Sequence, residues 1–155
     1  MALDLEDKLS RAHRTTVILA VAMIVSVFIY AGIVELLPRL APGSAPAAEP
    51  GTVELLRKVF RGLAWFNFLA LAWLGSRVRR PVGEPVARLA KLKTLTTVGL
   101  ALAESIALYG LILFLLSRDS IDFYSLFLVS LLSFIFVFPR HDRWREALNE
   151  MPVRS

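Results

Sequence analysis

From Thr15 to Leu37 the chain is apolar and carries no charge before Glu35. A helix over that run is about as long as a bilayer's hydrocarbon core is thick, about 30 Å at 1.5 Å per residue. An all-round apolar helix of this length is hard to enclose within 155 residues, and in lipid a helix satisfies its own backbone hydrogen bonds. The run therefore points to an all-α, polytopic membrane protein. Composition agrees: 56% of residues are hydrophobic and the mean hydropathy is +0.61, above the range of a soluble domain. A secretory signal has a shorter apolar region and a small-residue cleavage site, so this run is expected to be a retained span.

The rest of the chain divides by the same logic into one membrane domain, residues 1–155. Residues 1–14, "MALDLEDKLSRAHR", put Leu5, Leu9 and Ala12 on one side of a helix and Asp7, Lys8 and Arg11 on others, which predicts a separate helix on the membrane surface. The first span is 15–37. "RLAPGSAPAAEPG" then predicts an exposed loop. The second span, 55–76, is strictly apolar only from Gly62 to Gly75, is interrupted by Asn67, and is preceded by Arg57, Lys58 and Arg61. "TVELLRKVF" reads either as the start of that helix, its basic side chains reaching the head groups, or as a short interfacial helix before a thin span. A basic connection, "RVRRPVGEPVARLAKLK", leads to a third span at 94–117. The polar turn "RDSID" leads to a fourth at 123–138, closed by Pro139, and 140–151 predicts a charged tail helix. Trp65, Trp73, Tyr124 and Trp144 fall near span ends, as interfacial aromatics do.

Four spans as two antiparallel hairpins place Lys8, Arg11, Arg14, the central basic group, Arg140, Arg143 and Arg145 on one side. Both termini are then cytoplasmic, with the chain in the inner membrane and Arg57, Lys58 and Arg61 opposing. Arg77, Arg79, Arg80, Arg140 and Arg143 are expected at lipid head groups. A faint repeat aligns "SVFIYAGIVELLPR" from Ser26 with "SIALYGLILFLLSR" from Ser105, matching Ser, Tyr, a Leu-Leu pair and a closing Arg.

Several chemistries are excluded. The chain has no cysteine, and its two histidines, His13 and His141, lie outside the apolar spans, so no thiolate chemistry and no His/Cys metal cluster is expected. The net charge of +5 is spent flanking spans, and no separate basic domain exists to bind nucleic acid. No Ser/His/Asp set, paired carboxylates or phosphate-binding glycine loop supports an enzyme.

One acid sits within the third span, in "ALAESIALYG". Glu104 lies about 16 Å of helical rise beyond Lys93, near the middle of a core about 30 Å thick. An acidic side chain there costs about 2.5–3.5 kcal/mol on insertion scales, so it must find a partner or take up a proton. Asn67, on the preceding antiparallel helix, falls at nearly the same depth and is expected to donate its amide to Glu104. Ser105 and Tyr109, four residues apart, add hydroxyls on one face. Glu104, Asn67, Ser105 and Tyr109 thus form a candidate ion-binding set. The alternative is that Glu104 and Asn67 clamp two helices together, worth about 0.6–2 kcal/mol, with no transport. Gly99, Ala101, Ala103, Ala107 and Gly110 predict close packing of the third span. That helix is expected to be the one most surrounded by protein.

"TTVGLALAESIALYGLILFLL" resembles the ion-carrying helix of the proteolipid c subunits of rotary ATP synthases, where a carboxylate between small residues precedes a Tyr-Gly-Leu stretch. "RRP", Arg79 to Pro81, is similar to the Arg-Gln-Pro loop of that family. The resemblance implies that Glu104 is the carboxylate loaded and unloaded, that Ser105 and Tyr109 match hydroxyl positions of the sodium-binding variants, and that Asn67 stands near their polar residue on the partner helix. Ile106 in place of threonine favours a proton over sodium. The family's glycine ladder is absent: "GLAWFNFLALAWLG" has Trp65, Phe66, Phe68 and Trp73 instead. Two functions are expected from these residues. One is a non-catalytic membrane protein binding or passing a proton (sodium being the alternative ion) at Glu104, as a homo-oligomer or a subunit of a larger complex. The other is a membrane scaffold or assembly factor. Neither needs a cofactor.

Overall fold

The computed structural model describes residues 2–42, 48–78 and 85–139, with side chains described in 7–42, 48–74 and 87–139. The elements among them are four helices: α1 (Ala2–Leu40), α2 (Pro50–Val78), α3 (Pro85–Ser117) and α4 (Ser120–Val137). Arg79, Arg80, Arg140, Arg143, Trp144 and the tail at 140–151 lie outside the described residues, as does the side chain of Arg77.

The helices run past their apolar spans. Residues 2–14 do not form a separate surface helix but continue into α1, whose 39 residues measure about 58 Å. No glycine or proline interrupts the chain before Gly32, so nothing stops the helix. Leu9 also finds an apolar partner, packing with Leu89 at the start of α3. "TVELLRKVF" belongs to α2, which opens on Pro50, and α3 opens on Pro85, a residue whose fixed φ suits a first helical position. The turn between α3 and α4 is shorter than "RDSID". The Arg118 N–H donates to Phe114 O at 2.7 Å, Arg118 takes a left-handed φ of 61°, and Asp119 caps α4 by accepting from Ile121 N at 3.0 Å.

Side-chain contacts fix the directions. Leu9 meets Leu89 and Ser26 meets Glu104, so α1 runs parallel to α3. Asn67 meets Ser105 while Phe60 stacks on Tyr109, so α2 is antiparallel to α3. Ser130 donates to Ala103 O and Gly110 lies against Phe123, so α4 is antiparallel as well. The order is up, down, up, down. Helix α3 is the hub: it packs on α1, α2 and α4, whereas α1 and α2 make no close contact with each other among the described residues. The pairing expected of a first hairpin is therefore not formed directly; α1 and α2 meet only through α3 and, less extensively, α4. Half of α3's apolar span is buried inside the protein, against 17% for α1 and 33% for α4.

The core is made by Ala20, Val27, Val34, Leu100, Ala103, Ala107, Phe114, Phe123 and Phe134 of α1, α3 and α4, joined by Leu71 of α2. A second cluster joins Ala64 of α2 to Ile106, Leu113 and Leu126. The outside is apolar as well: Ile18, Phe28, Ile29, Trp65, Phe66, Leu69, Leu128 and Ile135 are all exposed. Among the described residues, α1, α3 and α4 are long and apolar enough to cross a membrane. The apolar part of α2 begins only after Arg61.

Candidate functional site

Glu104 and Ser105 are adjacent on α3 and so point about 100° apart. That angle separates the polar groups at mid-helix into two clusters. On one flank, Ser26 and Tyr30 of α1 reach Glu104: the Ser26 hydroxyl contacts Oε1, and the Tyr30 hydroxyl donates to the same oxygen at 3.2 Å. On the other flank, Asn67 of α2 donates through Nδ2 to Ser105 Oγ at 2.8 Å and makes a longer contact, 3.5 Å, with the Tyr109 hydroxyl. Tyr109 is held by Phe60, ring on ring with centroids 5.3 Å apart.

The expected bond from Asn67 to Glu104 is not made. Asn67 and Glu104 both lie near the level of Ser105, but α2 packs on the Ser105 side of α3 and α1 on the Glu104 side. The four candidate ion-binding residues are therefore not one set. Glu104 works with Ser26 and Tyr30, and Asn67 works with Ser105 and Tyr109. Both α1 residues belong to the repeat: Ser26 and Tyr30 align with Ser105 and Tyr109. The repeat was the sequence signal that could have found them.

The two serines behave alike. Ser105 donates to Leu102 O at 2.8 Å and receives the Asn67 amide. Ser26 donates to Met23 O at 2.7 Å, and in the place of the amide it has the Glu104 carboxyl. A hydroxyl has one proton. The Ser26 proton is shared between Met23 O and Glu104 Oε1, both of which stand in position to accept it. Oε2 of Glu104 accepts no hydrogen bond among the described residues and is not enclosed by the protein. No Lys or Arg among the described residues lies within ion-pair distance of it.

The packing residues divide too. Gly99, Ala103, Ala107 and Gly110 are buried, facing the helices around α3. A Cβ on Gly110 would stand 3.1 Å from Phe123 O, so α4 approaches there at backbone range. Ala101 is exposed and packs against none of them.

A second ionic centre lies at the other end of α2. Arg57 does not reach outward to head groups but grips Asp122, Nε to Oδ1 at 2.8 Å and Nη2 to Oδ2 at 2.7 Å. Asp122 is buried near the start of α4, with Arg61 at 3.7 Å and the Ser117 hydroxyl at 3.4 Å. Glu54 bonds Arg57 and pairs with Lys58, and Asp119 stands 3.7 Å from Arg57. Glu35 accepts from the Tyr124 hydroxyl and ties α1 to α4. The described residues contain no cluster of His, Cys, Asp and Glu suited to a metal.

Comparison with protein-family models, with curated proteins and with solved structures finds no match.

Proposed function

We propose that the chain is an inner-membrane protein whose four helices all cross the bilayer, with both termini cytoplasmic, and that Glu104 binds and exchanges a proton at mid-membrane. The alternating helix directions support this topology, because they gather the loop after α1 and the turn after α3 at one end. At that end Arg57, Lys58 and Arg61 are matched by Glu54, Asp119 and Asp122. Lys and Arg are fewer at that end than in the central loop and the two tails, which decide the orientation.

One observation carries the proton reading. Ser26 repeats the bonding of Ser105, and the position filled there by the amide donor of Asn67 is filled here by a carboxyl group. A protonated Glu104 completes the pattern, and its outward Oε2 gives the proton a way on and off. The resemblance of "TTVGLALAESIALYGLILFLL" to the proteolipid c subunits points to the same carboxylate. The protein would work in an assembly, as a homo-oligomer or a subunit of a larger membrane complex. Labelling with a hydrophobic carbodiimide tests the reading: modification should map to Glu104, fall as the pH is raised, and vanish in Glu104→Gln. Absence of labelling across the pH range would remove it.

A second reading, a scaffold with no ion chemistry, is favoured by the way each polar cluster joins a different helix to α3. In that case Glu104→Gln, which keeps a hydrogen-bonding group, leaves every function of the assembly intact.

A further inference from the structure

Because α1 and α2 both pack on α3 and not on each other, one face of α3 is left open between them. Val98, Ala101, Leu108 and Leu115 are exposed along it, in one stripe at helical spacing. The stripe is recessed: Val98, Leu108 and Leu115 are 43%, 40% and 38% exposed, whereas Leu128 and Ile135 on the outward face of α4 are each 60% exposed. Glu104 borders this furrow on the α1 side, with Ser26 and Tyr30 behind it, and Ser105 with Asn67 borders it on the α2 side.

The charge there is unbalanced. Asp7, Glu35, Glu54, Asp119 and Asp122 each stand within 4.0 Å of an arginine or lysine, and Glu104 has no such neighbour among the described residues. Among the described side chains, the charged groups of α2, of α4 and of the turn before it gather at one end, Arg57, Lys58, Arg61, Glu54, Asp119 and Asp122, where they pair with one another. Only Tyr30 on α1 brings a titratable group into contact with Glu104, and Tyr109 on α3 is turned towards Asn67.

We infer that the furrow between α1 and α2 is a binding site for a lipophilic organic monocation, its charge against Glu104 Oε2 and its apolar body against Ala101 and Leu108. The inference rests on the same carboxylate as the proposed proton site, with cation and proton competing for it. A bare metal ion suits the place poorly, since it would exchange its water shell for one free oxygen among alanine and aliphatic side chains. A quaternary ammonium or phosphonium ion loses little hydration there and gains apolar contact and a counter-ion. The furrow opens sideways to the acyl chains, from which such a ligand would enter.

The test uses the full chain in proteoliposomes with tetraphenylphosphonium as the probe, followed by equilibrium dialysis. Binding should saturate, weaken as the pH is lowered, and fall by about tenfold or more in Glu104→Gln, as removing one member of a desolvated charge pair does. Ala101→Trp fills the furrow from an exposed position without touching the core. It should reduce binding by a similar factor while carbodiimide still labels Glu104. Unsaturable binding, or binding unchanged in Ala101→Trp, overturns the site. So does a second copy of the chain seated in the furrow, seen as an oxidative cross-link between copies of Ala101→Cys that the probe does not prevent; the native chain has no cysteine to confuse this. Carbodiimide labelling that persists without probe binding removes the cation site and leaves the proton site standing, whereas loss of labelling removes both.

Discussion

Ser26 and Ser105 occupy matching places in two parallel helices, each donating to the carbonyl three residues back and each meeting one polar group from a neighbouring helix. The neighbour is an amide for one and a carboxyl for the other. Glutamine at 104 can supply the amide donor in the second place too. Glu104→Gln is therefore expected to keep the thermal stability of the protein in detergent within about 0.5 kcal/mol, the range of a substitution that leaves its contacts intact. Glu104→Leu, which leaves the Tyr30 hydroxyl without its acceptor, should lose about 1–2 kcal/mol. Equal melting of the Leu and Gln variants would contradict the pairing.

Asn67 and Glu104 share a depth but no partner, so their contributions should add. In a double-mutant cycle with Asn67→Leu and Glu104→Leu, read by unfolding in mixed micelles, the coupling energy should stay below about 0.5 kcal/mol, as for residues with no common contact. The cycle between Asn67→Leu and Ser105→Ala, which do share a bond, should give about 0.6 kcal/mol or more. A large coupling in the first cycle would restore the direct amide-to-carboxyl contact.

Much of this was readable from residue order, and the rest was not for definite reasons. Apolar runs located the four helices and Pro139 the end of the last, but the helices run past the spans: α1 passes through Pro38, and α2 and α3 open earlier, on Pro50 and Pro85. Helical rise put Glu104 and Asn67 at a common level, since rise depends only on counting. Which side of α3 each neighbour would take depends on packing between distant residues: Gly110 against Phe123, Leu71 and Val137 against Gly99. A one-residue step such as Glu104 to Ser105 then decides which helix a side chain meets. The Arg57 pairing escaped for a similar reason. A basic residue at a span end looks the same whether it faces lipid phosphate or a buried aspartate, and Asp122 was hidden in an apparent turn.

The grip of Arg57 on Asp122 ties α2 to α4 where they otherwise touch little. Removing Arg57 leaves Asp122 buried with only the longer, 3.7 Å contact to Arg61 as counter-charge. Arg57→Met should destabilise the fold by about 3 kcal/mol, because the Asp122 side chain is only 3% exposed. Arg61→Met, which removes a 3.7 Å contact from a more exposed group, should cost less than about 1 kcal/mol. Paired replacement of Arg57 and Asp122 by Met and Leu should recover most of the loss, and proteolysis rates of the reconstituted protein provide the measurement.

Arg118 offers a gain in stability. Its φ of 61° lies in the left-handed region, where glycine ends helices without strain, and its Nε and Nη1 are buried with no hydrogen-bond partner among the described residues. Relief of the backbone strain is worth about 1 kcal/mol, and freeing a buried, unpaired nitrogen about 1–3 kcal/mol. Against this stands the loss of a positive charge at the end of α3, worth about 0.3–1 kcal/mol. The balance favours the substitution. Arg118→Gly should raise the melting temperature in detergent by several degrees, whereas Arg118→Ala, which removes the nitrogens but keeps the strained φ, should raise it by less. A drop in melting temperature for the glycine variant would mean that the guanidinium is paired in the membrane.

Gly110 sets how closely α3 and α4 approach. The atoms an added Cβ would meet are Phe123 O at 3.1 Å, Leu126 Cβ at 3.2 Å and Phe123 Cα at 3.3 Å. Two of these are backbone, which cannot rotate aside, so the helices themselves must move. Gly110→Ala gains helix propensity of about 1 kcal/mol, but overpacking costs about 1–3 kcal/mol, and the rigid contacts put the cost towards the upper end. The variant should unfold at a lower temperature than the native chain. Gly62 on α2 is the control, since a Cβ there meets nothing within 4 Å and Gly62→Ala should be stabilising by its propensity alone. If the two substitutions shift the melting temperature in the same direction, α4 is not held against α3 at backbone range.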